Sequence, residues 1–318
     1  MNDPRNTAID IVEQQKWLGE HKADTGFSWS ELAPKIGEPA GTISQFVSGA
    51  YKGNMQKLAD AVFRYRQLLL SQAAIAIDIP DRPPFFETPT AKRIMTMLSI
   101  AQRGRMVVIA GAPGTSKTET VRHYQASVAN VWRVTMMPST NGINTMQQAV
   151  LASMGKPDAK GTPRALTIQI MQLMRGTGGL LIIDEAQHAG EKALEEIRSW
   201  HDETGIGIAL VGNEDVLTRL TLGSKRDAFA RLASRIAQRL IFRGPLDGDA
   251  LALADAWGLD GKPERDFLID KSKRPGGLRT CTMIMEIASM LAAMERMDVN
   301  VGHLRDAWAD LATTGQAA

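Results

Sequence analysis

Apolar positions along this chain follow two patterns. Short, nearly unbroken apolar runs bounded by Gly or polar residues read as strands buried on both faces: Met106 to Ala110, Val131 to Met136, Leu180 to Ile183 ending in Asp184-Glu185, and Gly207 to Gly212 ending in Asn213. A last strand is predicted over Gln238 to Arg243. Between them lie segments of helical period, Thr90 to Arg103, one from near Thr118, Thr145 to Met154 and Arg164 to Arg175. Beyond Leu246 the pattern is wholly helical, over roughly 248–257, 264–272, 277–296 and 301–312. This alternation predicts an α/β fold: a five-stranded parallel sheet with ligand bound at the strands' C-terminal edge, and a helical segment folded over it as a lid.

The first part of the chain is helical throughout. Helices are predicted over Ala8 to His21, Ser28 to Gly37, Pro39 to Val47 and Gln56 to about Ala76. Ser28 with Glu31 three residues on forms a capping-box pattern, and Gly37 is placed to end the second helix. The second and third helices, joined by a tight Gly turn, have the order of a helix-turn-helix. Ile36, Ile43 and Phe46 would be core; Thr42, Ser44 and Gln45 would face a major groove, where Gln can contact adenine. Pro34 inside the second helix and the absence of a basic residue on the third keep a three-helix partner-binding module open as the alternative; Lys35 and Lys52 flank the segment. Pro80, Pro83 and Pro84 then form a stiff joint. The expected domains are therefore a helical unit at 1–78, a sheet-bearing core at 79–244 and a helical lid at 245–318.

Charge sharpens this division. Of the 318 residues, with a net charge of +2, residues 1–78 carry 8 basic and 9 acidic side chains, 79–244 carry 21 and 14, and 245–318 carry 8 and 12. The sheet-bearing part is thus the basic one, and Arg219 to Arg243 holds seven basic side chains against Asp227 alone. Such a cluster, including Lys225 and Arg226, suits a polyanion better than a merely solvated face. The loop between the helices at 145–154 and 164–175, with Lys156 and Lys160, is a second candidate contact for nucleic acid. The single cysteine, Cys281, excludes a disulfide framework and fits a reducing compartment. No apolar run approaches the ~18 residues a membrane span requires, so no membrane partner is expected; the N-terminus lacks the pattern of a signal peptide, and the cytoplasm is the expected location.

The chemistry concentrates at the ends of the strands. Gly111-Ala112-Pro113-Gly114-Thr115-Ser116-Lys117-Thr118 follows the first apolar run and opens a helix, the context of a phosphate-binding loop. Backbone N–H groups of such a loop cradle phosphates, Lys117 would reach the β- and γ-phosphates, and the Thr118 hydroxyl would sit on Mg²⁺. Ser116 stands where a Gly ordinarily precedes the Lys, and Gly tolerates backbone angles that Ser resists. Asp184 would hold Mg²⁺, directly or through water, and Glu185 would polarise the attacking water. Asn213 is placed to hydrogen-bond that water or the γ-phosphate. Arg279, in Pro275-Gly276-Gly277-Leu278-Arg279, could reach the nucleotide from the lid. Arg231, Arg235 and Arg239 are four apart and share a face if the segment is helical. Arg235, with Arg231 second, is the candidate for an arginine supplied to a neighbouring subunit's γ-phosphate; a basic solvated or DNA-facing surface stays open as the alternative.

Together these segments resemble the AAA+ class of P-loop ATPases. Lys117 and Thr118 match the Walker A positions, Asp184 and Glu185 Walker B, Asn213 sensor 1, Arg279 sensor 2, and Arg235 the finger position. The helical head, the joint Pro83-Pro84-Phe85-Phe86-Glu87-Thr88, the run Ile182-Ile183-Asp184-Glu185-Ala186-Gln187-His188 and the run Phe229-Ala230-Arg231-Leu232-Ala233-Ser234-Arg235-Ile236-Ala237 narrow the resemblance to the B proteins of transposing phages of the Mu kind. The resemblance implies an ATP- and Mg²⁺-dependent ATPase in the bacterial host cytoplasm. It would bind double-stranded DNA with little sequence preference, polymerise on it as a filament, select the insertion target and stimulate a transposase. An ATPase of another cytosolic machine, in secretion or remodelling, and an ATP-liganded helix-turn-helix regulator are the competing readings.

Overall fold

A computed structural model of the chain describes residues 9–75, 85–216, 218 and 231–313. The joint at Pro80, Pro83 and Pro84 and the basic residues Lys225 and Arg226 lie outside the described residues. The chain divides into two compact units, Met1–Ile79 and Pro80–Ala318.

Among its described residues the first unit holds four helices, α1 (Ile11–Thr25), α2 (Trp29–Ile36), α3 (Ala40–Val47) and α4 (Met55–Ile75). Their ends are written in the sequence. Asp10 caps α1 by accepting from the N–H groups of Val12 and Glu13, and Gly26 ends it in the left-handed conformation. Ser28 and Glu31 form a reciprocal capping box at α2, which Gly37 closes at φ 83°. Pro34 is accommodated because α2 is only eight residues long, so its missing N–H forfeits one helical bond. Ile36, Ile43 and Phe46 are buried together with Leu18, Leu32, Leu58 and Val62. Gln45 is exposed, and Thr42 and Ser44 are half-buried.

In the second unit β1 (Met106–Gly111), β2 (Val131–Thr135), β3 (Leu180–Asp184), β4 (Gly207–Gly212) and β5 (Ile236–Phe242) form one sheet of order β2-β3-β4-β1-β5. Every pairing is parallel. The alternating side chains of the strands explain their continuous apolar character. Val108, Leu181, Ile183, Ile208 and Leu210 pack under α7 (Ile143–Ser153), α8 (Pro163–Met174) and α9 (Glu191–Thr204), around the fully buried Trp200. Val107, Ile109, Ile182, Ala209 and Val211 face the other way, against α5 (Pro89–Gln102) and α6 (Lys117–Ser127). Four further helices, α10 (Asp247–Ala256), α11 (Lys262–Ser272), α12 (Gly277–Glu295) and α13 (Val301–Thr313), enclose their own core of Leu253, Leu268, Ile284 and Leu304. Cys281 belongs to that core; burial pushes its thiol up to about 12, which leaves it unreactive.

One expectation is overturned. Arg231, Arg235 and Arg239 do not share a helix face, because helical structure ends before Ser234 and β5 begins at Ile236. Tertiary pairing with β1 decides this: Leu240 and Phe242 alternate into the core while Ala237, Arg239 and Ile241 stay exposed on an edge strand. Arg231 lies in the helical stretch at 231–233 and Arg235 in the turn that precedes β5.

The last four helices are tied to the sheet layer by a buried carboxylate. Asp249, on the first turn of α10, accepts from the Thr90 N–H at 2.8 Å, from the Thr90 hydroxyl and from the Leu246 N–H at 2.7 Å. Asp249→Ala strands all of these donors, and its cost should be about 3 kcal/mol of unfolding free energy, read from chemical denaturation curves.

Candidate nucleotide site

The site forms where β1, β3 and β4 end on the same edge of the sheet. After Gly111 the chain leaves β1 and is pinned to the end of β5 by the Ala112 N–H on the Phe242 carbonyl at 3.1 Å. It crosses Gly114 at φ 74° and Ser116 at φ 57°, ψ 16°, then enters α6 at Lys117. The left-handed angle at Ser116 is the one the sequence leads a reader to expect of a Gly, and a Cβ there costs roughly 1–2 kcal/mol. Thr115 is buried and its hydroxyl closes the loop on the Ala112 carbonyl at 3.0 Å.

Lys117 lies folded into this loop. Its ammonium donates to the carbonyls of Gly111 and Ala112 at 2.7 and 2.8 Å and to the Thr115 hydroxyl at 3.3 Å. Burial lowers its pKa, while the charges of Glu185 and Asp184 oppose that shift. Asp184 ends β3 almost wholly buried, and burial raises its pKa. It accepts from the Glu185 N–H at 3.1 Å and from the Thr118 hydroxyl, and Arg133 on β2 reaches its Oδ2 at 3.4 Å. Arg133 also donates to the Thr135 hydroxyl at 2.8 Å. Sequence reading misses Arg133; the signal was a charged residue set in the apolar run from Val131, on the strand that pairs with β3.

A cavity of about 390 Å³ opens here, within the range of small-molecule sites. The phosphate loop from Gly111 through Thr118, excepting Ala112, lines one part, with Glu185, Gln187 and Asn213. Arg279, Leu278, Thr282, Met283 and Glu286 line it from α12, and Phe85 and Phe86 from the segment before α5. Positions 279, 282, 283 and 286 form one helical stripe, a pattern easily taken for a core face in sequence. Phe85 stacks on His123 of α6, ring centroids 3.8 Å apart. Asn213 sits at the end of β4 with its side-chain amide engaged by Asp215: its Nδ2 donates to Oδ2 at 2.9 Å and its Oδ1 accepts from the Asp215 N–H at 3.0 Å.

These residues fit a nucleoside triphosphate with a divalent cation. Lys117 spends its donors on carbonyls that phosphate oxygens can replace, and the loop is walled closely enough that a Cβ on Gly114 would lie 1.8 Å from the Gly276 carbonyl. Among the described residues no three His, Cys, Asp or Glu side chains gather as a metal cluster. A cation there would be held by Thr118, Asp184 and phosphate, the sparse protein ligation that suits Mg²⁺.

The remaining candidates lie elsewhere. Arg235 is not among the cavity's lining residues; it pairs with Asp202 of α9, Nε to Oδ1 at 2.8 Å, and that hydrogen bond, aided by its charge, holds Asp202 below the usual carboxylate range. Arg231 reaches Glu195 of the same helix at 3.6 Å. Lys156 and Lys160 are exposed on the loop between α7 and α8, whose Ala159 carbonyl accepts from Gln148 at 3.4 Å. Among the described residues no helix is long and apolar enough to cross a membrane.

Ser116→Gly removes the left-handed penalty but adds about 0.5–1 kcal/mol of unfolded-chain entropy. The variant should gain a net of about 0 to 1.5 kcal/mol, seen as a Tm no lower than wild type, together with tighter nucleotide binding by titration.

Comparison with known proteins follows the same division. The family described as AAA domain matches residues 100–220, and the family described as the C terminal of the Mu B transposition protein matches residues 234–311. The ATP-dependent target DNA activator B of Escherichia phage Mu is 33% identical over 303 residues, covering 95% of both chains. The Mu-like prophage FluMu DNA transposition protein B of Haemophilus influenzae is 34% identical over 268 residues, 83% of this chain and 92% of its own. Among solved structures, the RuvB Holliday junction branch migration motor of Thermotoga maritima covers 74% of this chain and 72% of its own, with a TM-score of 0.47 and 17% identity. A P-loop at the edge of a parallel sheet, with a helical segment closing on it and relatives matched over nearly the whole length, places this chain in the family of the Mu B transposition proteins, AAA-domain ATPases of transposing phages.

Proposed function

We propose that this protein is an ATP-dependent activator of transposition targets: it binds double-stranded DNA through phosphates, assembles on it with ATP bound, and directs a transposase to that DNA. The observation that carries the reading is the convergence of Lys117, Glu185, Asn213 and Arg279 on one cavity. In this reading Lys117 and the loop N–H groups hold the phosphates. Thr118 and Asp184 hold Mg²⁺, which supplies neutralisation of the developing phosphate charge. Glu185 polarises the attacking water, Asn213 orients it, and Arg279 of the lid, residues 245–318, binds the γ-phosphate end. Phe85, Phe86, Thr282 and Met283 offer the apolar surface that suits a base.

Arg235 acts, in this reading, on the nucleotide of the next subunit. It is exposed and belongs to a turn rather than to its own cavity wall, and an arginine given in trans makes assembly depend on nucleotide state. Thr42, Ser44 and Gln45 of the head, Lys156 and Lys160 of the core, and Lys225 and Arg226 supply DNA contacts. Phosphate contacts position the protein without reading sequence, so affinity should fall steeply with salt on any duplex.

The deciding experiment mixes the protein with unrelated duplexes in ATP, ADP or no nucleotide and images the products by electron microscopy. Filaments on every duplex with ATP alone are expected. Intact ATPase without DNA binding would instead mark a remodelling ATPase, and tight binding to one palindrome a repressor. Glu185→Gln should bind ATP normally, remain on DNA and hydrolyse about 100-fold more slowly, measured by phosphate release. Arg235→Ala should bind ATP normally and lose hydrolysis. An equal mixture with Lys117→Ala, which keeps Arg235 but cannot hold nucleotide, should restore part of the rate. Wild-type turnover by Arg235→Ala alone would return that residue to the basic surface.

A further inference from the structure

Gln187 lines the cavity between Glu185 and Asn213 and has no role above. It lies in the short 3-10 turn Ala186–His188 that follows Glu185. Its Nε2 donates to Glu185 Oε2, and its Oε1 accepts from the Asn213 N–H at 3.4 Å. Chemistry dictates this orientation of the amide. An ionised carboxylate only accepts and a backbone N–H only donates, so the amide nitrogen must face Glu185 and the oxygen must face Asn213. The seat is also built for it: a Cβ on Gly212 would lie 2.3 Å from Gln187 Oε1 and 2.7 Å from Val216 Cγ2. Glu185 itself is held at φ 52°, ψ 41°, a left-handed conformation that a non-Gly residue adopts only when its surroundings impose it.

We propose that Gln187 is a positioning residue for ATP hydrolysis, tethering one oxygen of Glu185 to the tip of β4 and leaving the other for the attacking water. The inference rests on the reading of Glu185 as the water-polarising group. A free Glu side chain loses rotamer entropy on being fixed. The amide fixes it before nucleotide arrives. Because Asn213 shares the tether, Glu185 and Asn213 move as one unit: a shift of β4 relative to β3 repositions both groups that would face the water.

Gln187→Met tests this, since it keeps length and bulk but can neither donate nor accept. Expected are an unchanged Tm, a nucleotide affinity within twofold of wild type by fluorescent-nucleotide titration, and a kcat reduced about 10–100-fold, the usual cost of losing a supporting hydrogen bond. Adding Gln187→Met to Glu185→Gln should produce no further loss, because the tether then has nothing to position. Gly212→Ala, which pushes the amide from its seat while leaving Gln187 in the sequence, should repeat the kcat defect. A kcat at or above the wild-type value in Gln187→Met overturns the proposal. So does a loss shared equally by nucleotide affinity, which would make Gln187 a structural or substrate-binding residue, or a loss that adds fully to that of Glu185→Gln. Should Glu185→Gln itself turn over at the wild-type rate, it is the reading of Glu185 that fails, and the two failures are thereby told apart.

Discussion

The site depends on a close approach of two stretches of bare backbone. Gly114 in the phosphate loop and Gly276-Gly277 at the start of α12 meet so closely that a Cβ on Gly114 would lie 1.8 Å from the Gly276 carbonyl, and one on Gly277 would lie 2.9 Å from the Gly114 carbonyl. The contact is sealed by the Leu278 N–H donating to that Gly114 carbonyl at 2.9 Å. All three glycines have positive φ, so a side chain there would meet close neighbours and be strained in conformation as well. This contact places α12 over the loop, and with α12 come Arg279 one residue on and the stripe of Thr282, Met283 and Glu286. The buried tie between Asp249 and Thr90 holds the neighbouring helix α10 to α5. The two anchors meet different requirements: one sets a distance of closest approach, the other satisfies a buried carboxyl group with donors.

Electrostatics at the loop follow from the same compactness. A buried ammonium and a buried carboxylate are each costly, and each is admitted only with partners. Lys117 folds onto loop carbonyls, and Asp184 takes Thr118 and Arg133. Burial favours the neutral form of both, the usual mark of a functional site. Phosphates and a cation would restore the missing charges, phosphate oxygens accepting from Lys117 and the cation displacing the protein donors from Asp184. Arg133 is therefore a local cationic stand-in: it stabilises the Asp184 carboxylate on the side of β2, so that β3 can end in a buried acid.

How much of this was legible in sequence depends on range. The strands were legible because a strand buried on both faces must be apolar throughout, and the phosphate loop because its chemistry is local. The capping box at Ser28 and the left-handed closure at Gly37 were legible for the same reason. The strand predicted over Gln238 to Arg243 matches β5, but the shared helix face offered for Arg231, Arg235 and Arg239 does not hold: spacing of four suits a helix, and pairing of Leu240 and Phe242 beside β1 outweighs it. The helix α9 has no counterpart among the predicted elements, since its acidic and basic residues interrupt an apolar stripe formed by Ala193, Leu194, Ile197 and Trp200. Arg133, Phe85, Phe86 and Gln187 were invisible as site residues because their significance arises from what they meet across the fold. At Ser116 the sequence raised a question that only dihedral angles answer, and the loop keeps the glycine-like angle despite the side chain.

The partners of Arg235 bear on how assembly and nucleotide state can be linked. In the single chain its guanidinium is held by Asp202, which also pairs with Arg198, while Arg231 pairs with Glu195. These pairs are partly exposed and individually weak. A weak intramolecular pair would suit a side chain that, as proposed, exchanges partners on assembly, because leaving it costs little. A triphosphate offered by a neighbour carries more negative charge than Asp202 and presents oxygens spaced for the same planar fork. If Arg235 reaches a neighbour's nucleotide as proposed, the exchange would favour the assembled state with triphosphate bound, and would lose part of its driving force once the terminal phosphate is gone. On that reading the acidic residues on α9, which are not among the cavity's lining residues, would set how sharply assembly responds to the nucleotide.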